Sequence, residues 1–72
     1  MSDGVILFHT TAMAMKAEKA LTRAGYPVRL VPTPREFSSD CGIAVRFTVV
    51  GKDLVLGLLE NSGVEIAAIH SL

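Results

Sequence analysis

The sequence predicts an α+β fold in which two helices cover one face of a four-stranded antiparallel sheet. Three observations predict it. Four short stretches have strand character. Two longer stretches, one between the first and second strands and one between the third and fourth, space their apolar residues as helices do. Glycine or proline stands near most of the boundaries between them.

Gly4 to His9 reads as the first strand. Val5-Ile6-Leu7-Phe8 is an unbroken apolar run, as expected of a central strand buried on both faces. Thr10 or Thr11 then suits a helix N-cap, because a threonine hydroxyl accepts from amides that the first turn leaves without partners. A helix follows over residues 12–24. Met13, Ala17, Ala20, Leu21 and Ala24 fall on one face, with Lys16, Lys19 and Arg23 on a solvated side. Gly25 is placed to end it and Pro27 prevents its continuation. Val28 to Val31 reads as a second strand closed by Pro32, and a proline there suits a sheet edge.

A polar loop runs from Thr33 to Cys41. Gly42 to Val49 is the third strand, with Ile43, Val45, Phe47 and Val49 on one side and Ala44, Arg46 and Thr48 on the other. The second helix covers residues 52–61, its apolar face made of Leu54, Val55, Leu58 and Leu59 with Leu56 opposite. Gly57 either weakens that helix or admits another backbone. Val64 to Ile69 reads as the last strand, leaving His70-Ser71-Leu72 as a tail.

This order is the split β-α-β, ferredoxin-like arrangement, a two-layer sandwich whose usual strand order is 4-1-3-2, and it accounts for residues 1–72 as one domain. A chain of 72 residues has a small core, and its one cysteine cannot form a disulfide within the chain. The uncovered sheet face carries an apolar set from the first strand, with Val31 and Ala44 beside Arg29 and Arg46. Such a patch calls for a cover. The expectation is a homodimer through this face or through an edge strand, with Leu56 and Met15 as weaker contact candidates.

Seven basic and seven acidic residues cancel, so composition gives no reason to expect nucleic acid or a membrane surface as partner. The apolar runs are too short to span a bilayer. Met1-Ser2-Asp3-Gly4 lacks the basic region and long apolar core of an export signal. A lone cysteine without such a signal suits a cytoplasmic location. One cysteine and two histidines are too few typical zinc ligands at no recognised spacing, so no metal is expected. A glycine-rich nucleotide loop is absent, and no cofactor is expected.

Chemistry concentrates in Thr33-Pro34-Arg35-Glu36-Phe37-Ser38-Ser39-Asp40-Cys41-Gly42. The predicted topology brings this loop to the same end as His9, Thr10 and Thr11. A thiolate is the nucleophilic form of cysteine. The helix N-terminus, Arg35 or a charged His9 would favour it at Cys41; Glu36 or Asp40 nearby would oppose it. Gly42 would leave room beside the sulfur. His9 reads first as a strand-end histidine making an ordinary hydrogen bond, and second as a base or orienting partner for Cys41. Ser38 and Ser39 read as turn-formers, and Arg35 with Asp40 as either a loop pair or a support for the thiol. Phe37 carries no functional reading.

Phe8-His9-Thr10-Thr11, Ala14-Met15, Glu18-Lys19, the run from Arg29 to Glu36, Ser38-Ser39-Asp40-Cys41-Gly42 and Arg46-Phe47 together resemble the small bacterial family described as putative Se/S carrier protein-like. The resemblance implies a cytoplasmic carrier, rather than a stand-alone enzyme, that holds sulfur or selenium on Cys41 as a persulfide or selenopersulfide. It would exchange that cargo with donor and acceptor proteins, with His9, Thr10, Thr11, Arg35, Ser38, Ser39, Asp40 and Gly42 around the thiol. The competing reading is a non-catalytic, dimeric module that binds a small ligand or a protein, with Cys41 as packing.

Overall fold

A computed structural model describes residues 3–37, 41–48 and 51–72. The chain folds as β1 (Asp3–Leu7), α1 (Thr11–Arg23), β2 (Arg29–Pro32), β3 (Ile43–Thr48), α2 (Lys52–Asn61) and β4 (Ala68–Ser71). The four strands form one sheet in the order β2-β3-β1-β4, every neighbouring pair antiparallel. This α+β layout, two helices on a four-stranded antiparallel sheet, is consistent with the ferredoxin-like arrangement. The apolar run of the first strand lies where its pattern predicts. β1 is central, bonded to β3 on one side and β4 on the other. β2, closed by its proline, is an edge.

Alternation along β1 and β3 sorts side chains onto two faces. Ile6, Val45 and Phe47 join Ala14, Ala17 and Leu21 of α1 and Val55 and Leu59 of α2 in the main core. Val5, Leu7 and Ala44 form a second, smaller cluster on the other face.

Both helices end in the same way. After α1, Gly25 takes φ +90°; its amide donates to the Thr22 carbonyl, and the Tyr26 amide donates to that of Leu21. After α2, Gly63 takes φ +73°; its amide donates to the Glu60 carbonyl, and the Val64 amide donates to that of Leu59. These are Schellman closures, which need a left-handed residue and so favour glycine. In each, the residue after the glycine drops back onto the core: Tyr26 packs against it and Val64 is part of it.

Three expectations are corrected. The last strand begins at Ala68 rather than Val64, and His70 belongs to it rather than to a tail. Its extent is set by β1, whose last residue, Leu7, pairs with Ala68. The Ala67 amide still donates to the Leu7 carbonyl at 2.8 Å, and no registered pair lies beyond Leu7 with Ala68. On α2, Leu54 lies on the surface, 63% exposed, while Leu56 is half-buried. Leu54 borders an apolar groove of about 400 Å³ whose walls include Tyr26, Val28 and Phe47. Finally, Gly57 does not admit a neighbour: a Cβ added there would meet nothing within 4 Å. Val49, expected on the third strand, lies outside the described residues.

The sheet face away from the helices is covered by the chain itself. Phe37, from the loop between β2 and β3, packs on Val5, Leu7 and Ala44 together with Val31 and Ala68. Its ring stacks on His70 of β4, centroids 4.1 Å apart and planes 2° from parallel. Val5, Leu7 and Ala44 are thereby buried in the single chain. The premise that this face lies open and greasy does not hold. The Arg46 guanidinium on the same face is occupied as well, its Nη2 2.8 Å and its Nε 3.0 Å from Asp3 Oδ2. This pair is exposed, so its contribution is small, about 0–1 kcal/mol.

Candidate functional site

Cys41 lies between the loop and β3, at the sheet end that also holds the start of α1. Thr10 caps that helix with extended backbone (φ −138°, ψ 155°), its hydroxyl accepting from the Met13 amide at 3.2 Å. Thr11 then begins the first turn, and its Oγ1 lies 3.7 Å from Cys41 Sγ. The sulfur is thus brought against the N-terminal turn of α1, as the topology predicts. The cysteine is 4% exposed and belongs to the main core beside the helices.

Its backbone is held as firmly as its side chain. Thr33 Oγ1 donates to the Cys41 carbonyl at 2.9 Å, and the Thr33 amide donates to the Gly42 carbonyl at 3.0 Å. These two bonds close the loop at its neck, directly beyond the last β2–β3 pair, Pro32 with Ile43. Thr33 opens the stretch singled out from sequence but was given no role at the site. A threonine beside a proline at a strand end looks like ordinary punctuation, and only the hydrogen bond from its hydroxyl ties it to Cys41.

Past the neck, the Phe37 amide donates to the Pro34 carbonyl at 3.1 Å. Arg35 and Glu36 are the corner residues of this turn, and both are exposed. Phe37 and Cys41 pack on opposite faces: the ring on the sheet face away from the helices, the sulfur on the face beneath them.

Of the other residues expected at the site, His9 is exposed and immediately precedes the cap residue. Gly42, next to the cysteine, is exposed. Apart from its two chain neighbours, a Cβ added there would meet nothing within 4 Å among the described residues. Ser38, Ser39 and Asp40 lie outside the described residues. Among the described residues no helix is long and apolar enough to cross a membrane. No group of three or more His, Cys, Asp or Glu side chains among them is arranged to hold a metal ion.

The arrangement offers one sulfur against a helix start, with a hydroxyl beside it and its backbone clamped. Such a site can take on a covalent group at sulfur; it presents no second thiol to displace that group again. No curated protein and no solved structure matches the chain. Residues 3–71, nearly the whole chain, match the family described as Putative Se/S carrier protein-like, and the chain belongs to that family.

Proposed function

We propose that this protein carries sulfur or selenium on Cys41 and passes it between partner proteins in the reducing cytoplasm. The observation that carries the reading is the position of the chain's one thiol in a chain of this family, 3.7 Å from the hydroxyl of the first residue of α1. The amides of a helix's first turn stabilise negative charge that forms beside them, and a thiol must become an anion to attack.

In the loading step, the Cys41 thiolate attacks the terminal sulfur of a donor persulfide. A new S–S bond forms at Cys41 while the donor's own S–S bond breaks. The donor sulfur leaves as a thiolate and takes up the proton that Cys41 released. The transferred sulfur keeps its oxidation state, so no outside oxidant or reductant takes part. Selenium follows the same course from a selenopersulfide. Unloading is the reverse: an acceptor's nucleophile attacks the terminal atom and Cys41 leaves as thiolate. With a single cysteine the carrier cannot release its cargo as an internal disulfide, so an acceptor must take it.

Thr11 and Thr33 support this role by holding the sulfur and the carbonyl of Cys41, with Thr10 fixing the helix start. His9, Arg35, Ser38, Ser39, Asp40 and Gly42 complete the proposed surroundings of the donor and acceptor contact. Self-association is proposed through an outer strand edge, β2 or β4, since the sheet face is covered. A single species of monomer mass in sedimentation would remove that part of the proposal.

Intact mass measured after incubation with a small-molecule persulfide tests the carrier reading. The expected result is a gain of one sulfur atom, reversed by a reducing thiol and missing in Cys41→Ser. A protein that stays unmodified under these conditions would sink the reading. The low exposure of Cys41 favours a second one, a non-catalytic binding module in which the cysteine is packing. Under it, Cys41→Ser would leave partner binding intact.

A further inference from the structure

Two arginines stand opposite each other on the sheet face away from the helices. The β2–β3 register pairs Arg29 with Arg46, and Arg46 pairs in turn with Val5 of β1. Paired residues share a face, so both arginines lie on the side of Val5 and Ala44. Side chains directly opposite in an antiparallel pair start about 4.5–5.5 Å apart at Cβ, and like charges so placed repel. One carboxylate serves them. Asp3 Oδ2 lies 3.0 Å from Nε and 2.8 Å from Nη2 of Arg46, which leaves the Nη1 end of that guanidinium over. Among the described residues the Arg29 side chain has no hydrogen-bond or ion-pair partner, and it is exposed. Here two positive charges are set against one negative.

These groups are gathered in a cleft. Arg29, Arg46, Asp3 and Thr48 line about 470 Å³, with Pro27 and Val28 as an apolar wall. That is the size of a small-ligand site. We propose that this cleft binds a phosphate group, held between Arg29 and Arg46 with the Thr48 hydroxyl as a further donor. A guanidinium fork matches a pair of phosphate oxygens. A phosphate ester brings three free oxygens to the two forks and the hydroxyl, whereas a carboxylate brings two. The site is separate from the thiol. Cys41 precedes β3, Arg46 and Thr48 stand near the other end of that strand, and the sulfur packs on the opposite face. The proposal therefore stands whether or not Cys41 carries cargo.

Backbone amide shifts followed by NMR during titration with inorganic phosphate test the site, with ionic strength held constant by sodium chloride. Saturable shifts are expected at Arg29, Arg46 and Thr48. Arg29→Gln should weaken binding roughly ten-fold or more, as the loss of charged hydrogen bonds to an anion does. Asp3→Asn should act in the opposite direction and tighten binding, because it removes the carboxylate that competes for Arg46. Neither side chain belongs to the core clusters, and a purely structural charge pair would not give changes of opposite sign. Arg23→Gln, at the end of α1, removes a positive charge elsewhere and should leave binding as it is. Glycerol 3-phosphate titrated in parallel distinguishes the sources of the group. Tighter binding than inorganic phosphate assigns the cleft to a phosphate ester, and weaker binding assigns it to free phosphate. The proposal is overturned if phosphate gives no saturable shift at these residues, or if Arg29→Gln binds as the wild type does. A loss in Arg23→Gln equal to that in Arg29→Gln would reduce the effect to general charge and overturn it too. So would acetate binding as tightly as phosphate, which would make the cleft a contact for a partner's carboxylate.

Discussion

Gly4 and Gly57 are both glycines within regular structure, and they respond to the same substitution in opposite ways. A Cβ on Gly4 would stand 2.7 Å from the ring of Phe47, its partner across the β1–β3 pair. The ring lies over the glycine and has the packed main core around it. Gly4→Ala should therefore cost about 1–3 kcal/mol, the usual penalty for overfilling a core. Gly57 is exposed between half-buried Leu56 and Leu58, and beyond its own helix backbone no described atom lies within 4 Å of an added Cβ. Gly57→Ala should add about 0.5–1 kcal/mol through helix propensity alone. Urea denaturation of the two variants beside the wild type reads both effects, and a loss of stability in Gly57→Ala would contradict this account.

For the elements, capping decides more than composition. α1 has a side-chain cap in Thr10, whereas α2 begins at Gly51 with none. Thr10→Ala should cost about 1 kcal/mol, within a range of about 0.5–2. Because Thr11 next to it touches the sulfur, the same change should also speed Cys41 alkylation in the folded protein. A variant that loses stability but leaves alkylation unchanged would uncouple the helix start from the thiol. The helices and the first three strands were legible in the sequence because their apolar periods are local. The last strand was misplaced because Val64-Glu65-Ile66 alternates as well as a strand does. Its true position depends on where β1 ends, and that information lies at the other side of the sequence.

At the scale of the whole molecule, the sheet face that seemed to need a partner has one within the chain. Nothing in the spacing around Phe37 announces that its ring crosses the sheet to reach His70. The contact joins a loop to a strand with no shared period, so no local pattern encodes it. The thiol was easier to find, being the chain's one cysteine, but its burial was not legible from a loop so polar. Phe37→Ala should uncover Val5, Leu7 and Ala44. The variant is expected to bind a hydrophobic dye more strongly than the wild type and to sediment with more large species. Equal dye binding by the two proteins would mean that the loop is not the cover.

The central place of β1 has a kinetic consequence as well. Its backbone bonds on one side to β3 and on the other to β4, both far along the chain. A nascent chain therefore carries its most apolar segment, Val5 to Phe8, with neither edge satisfied until most of the sequence exists. Distant pairings of this kind slow folding, because loop closure must come before the contacts that reward it. An unpaired apolar strand is meanwhile a template for the wrong partner. The same strand that anchors the finished sheet is the stretch most in need of shelter while the protein is being made.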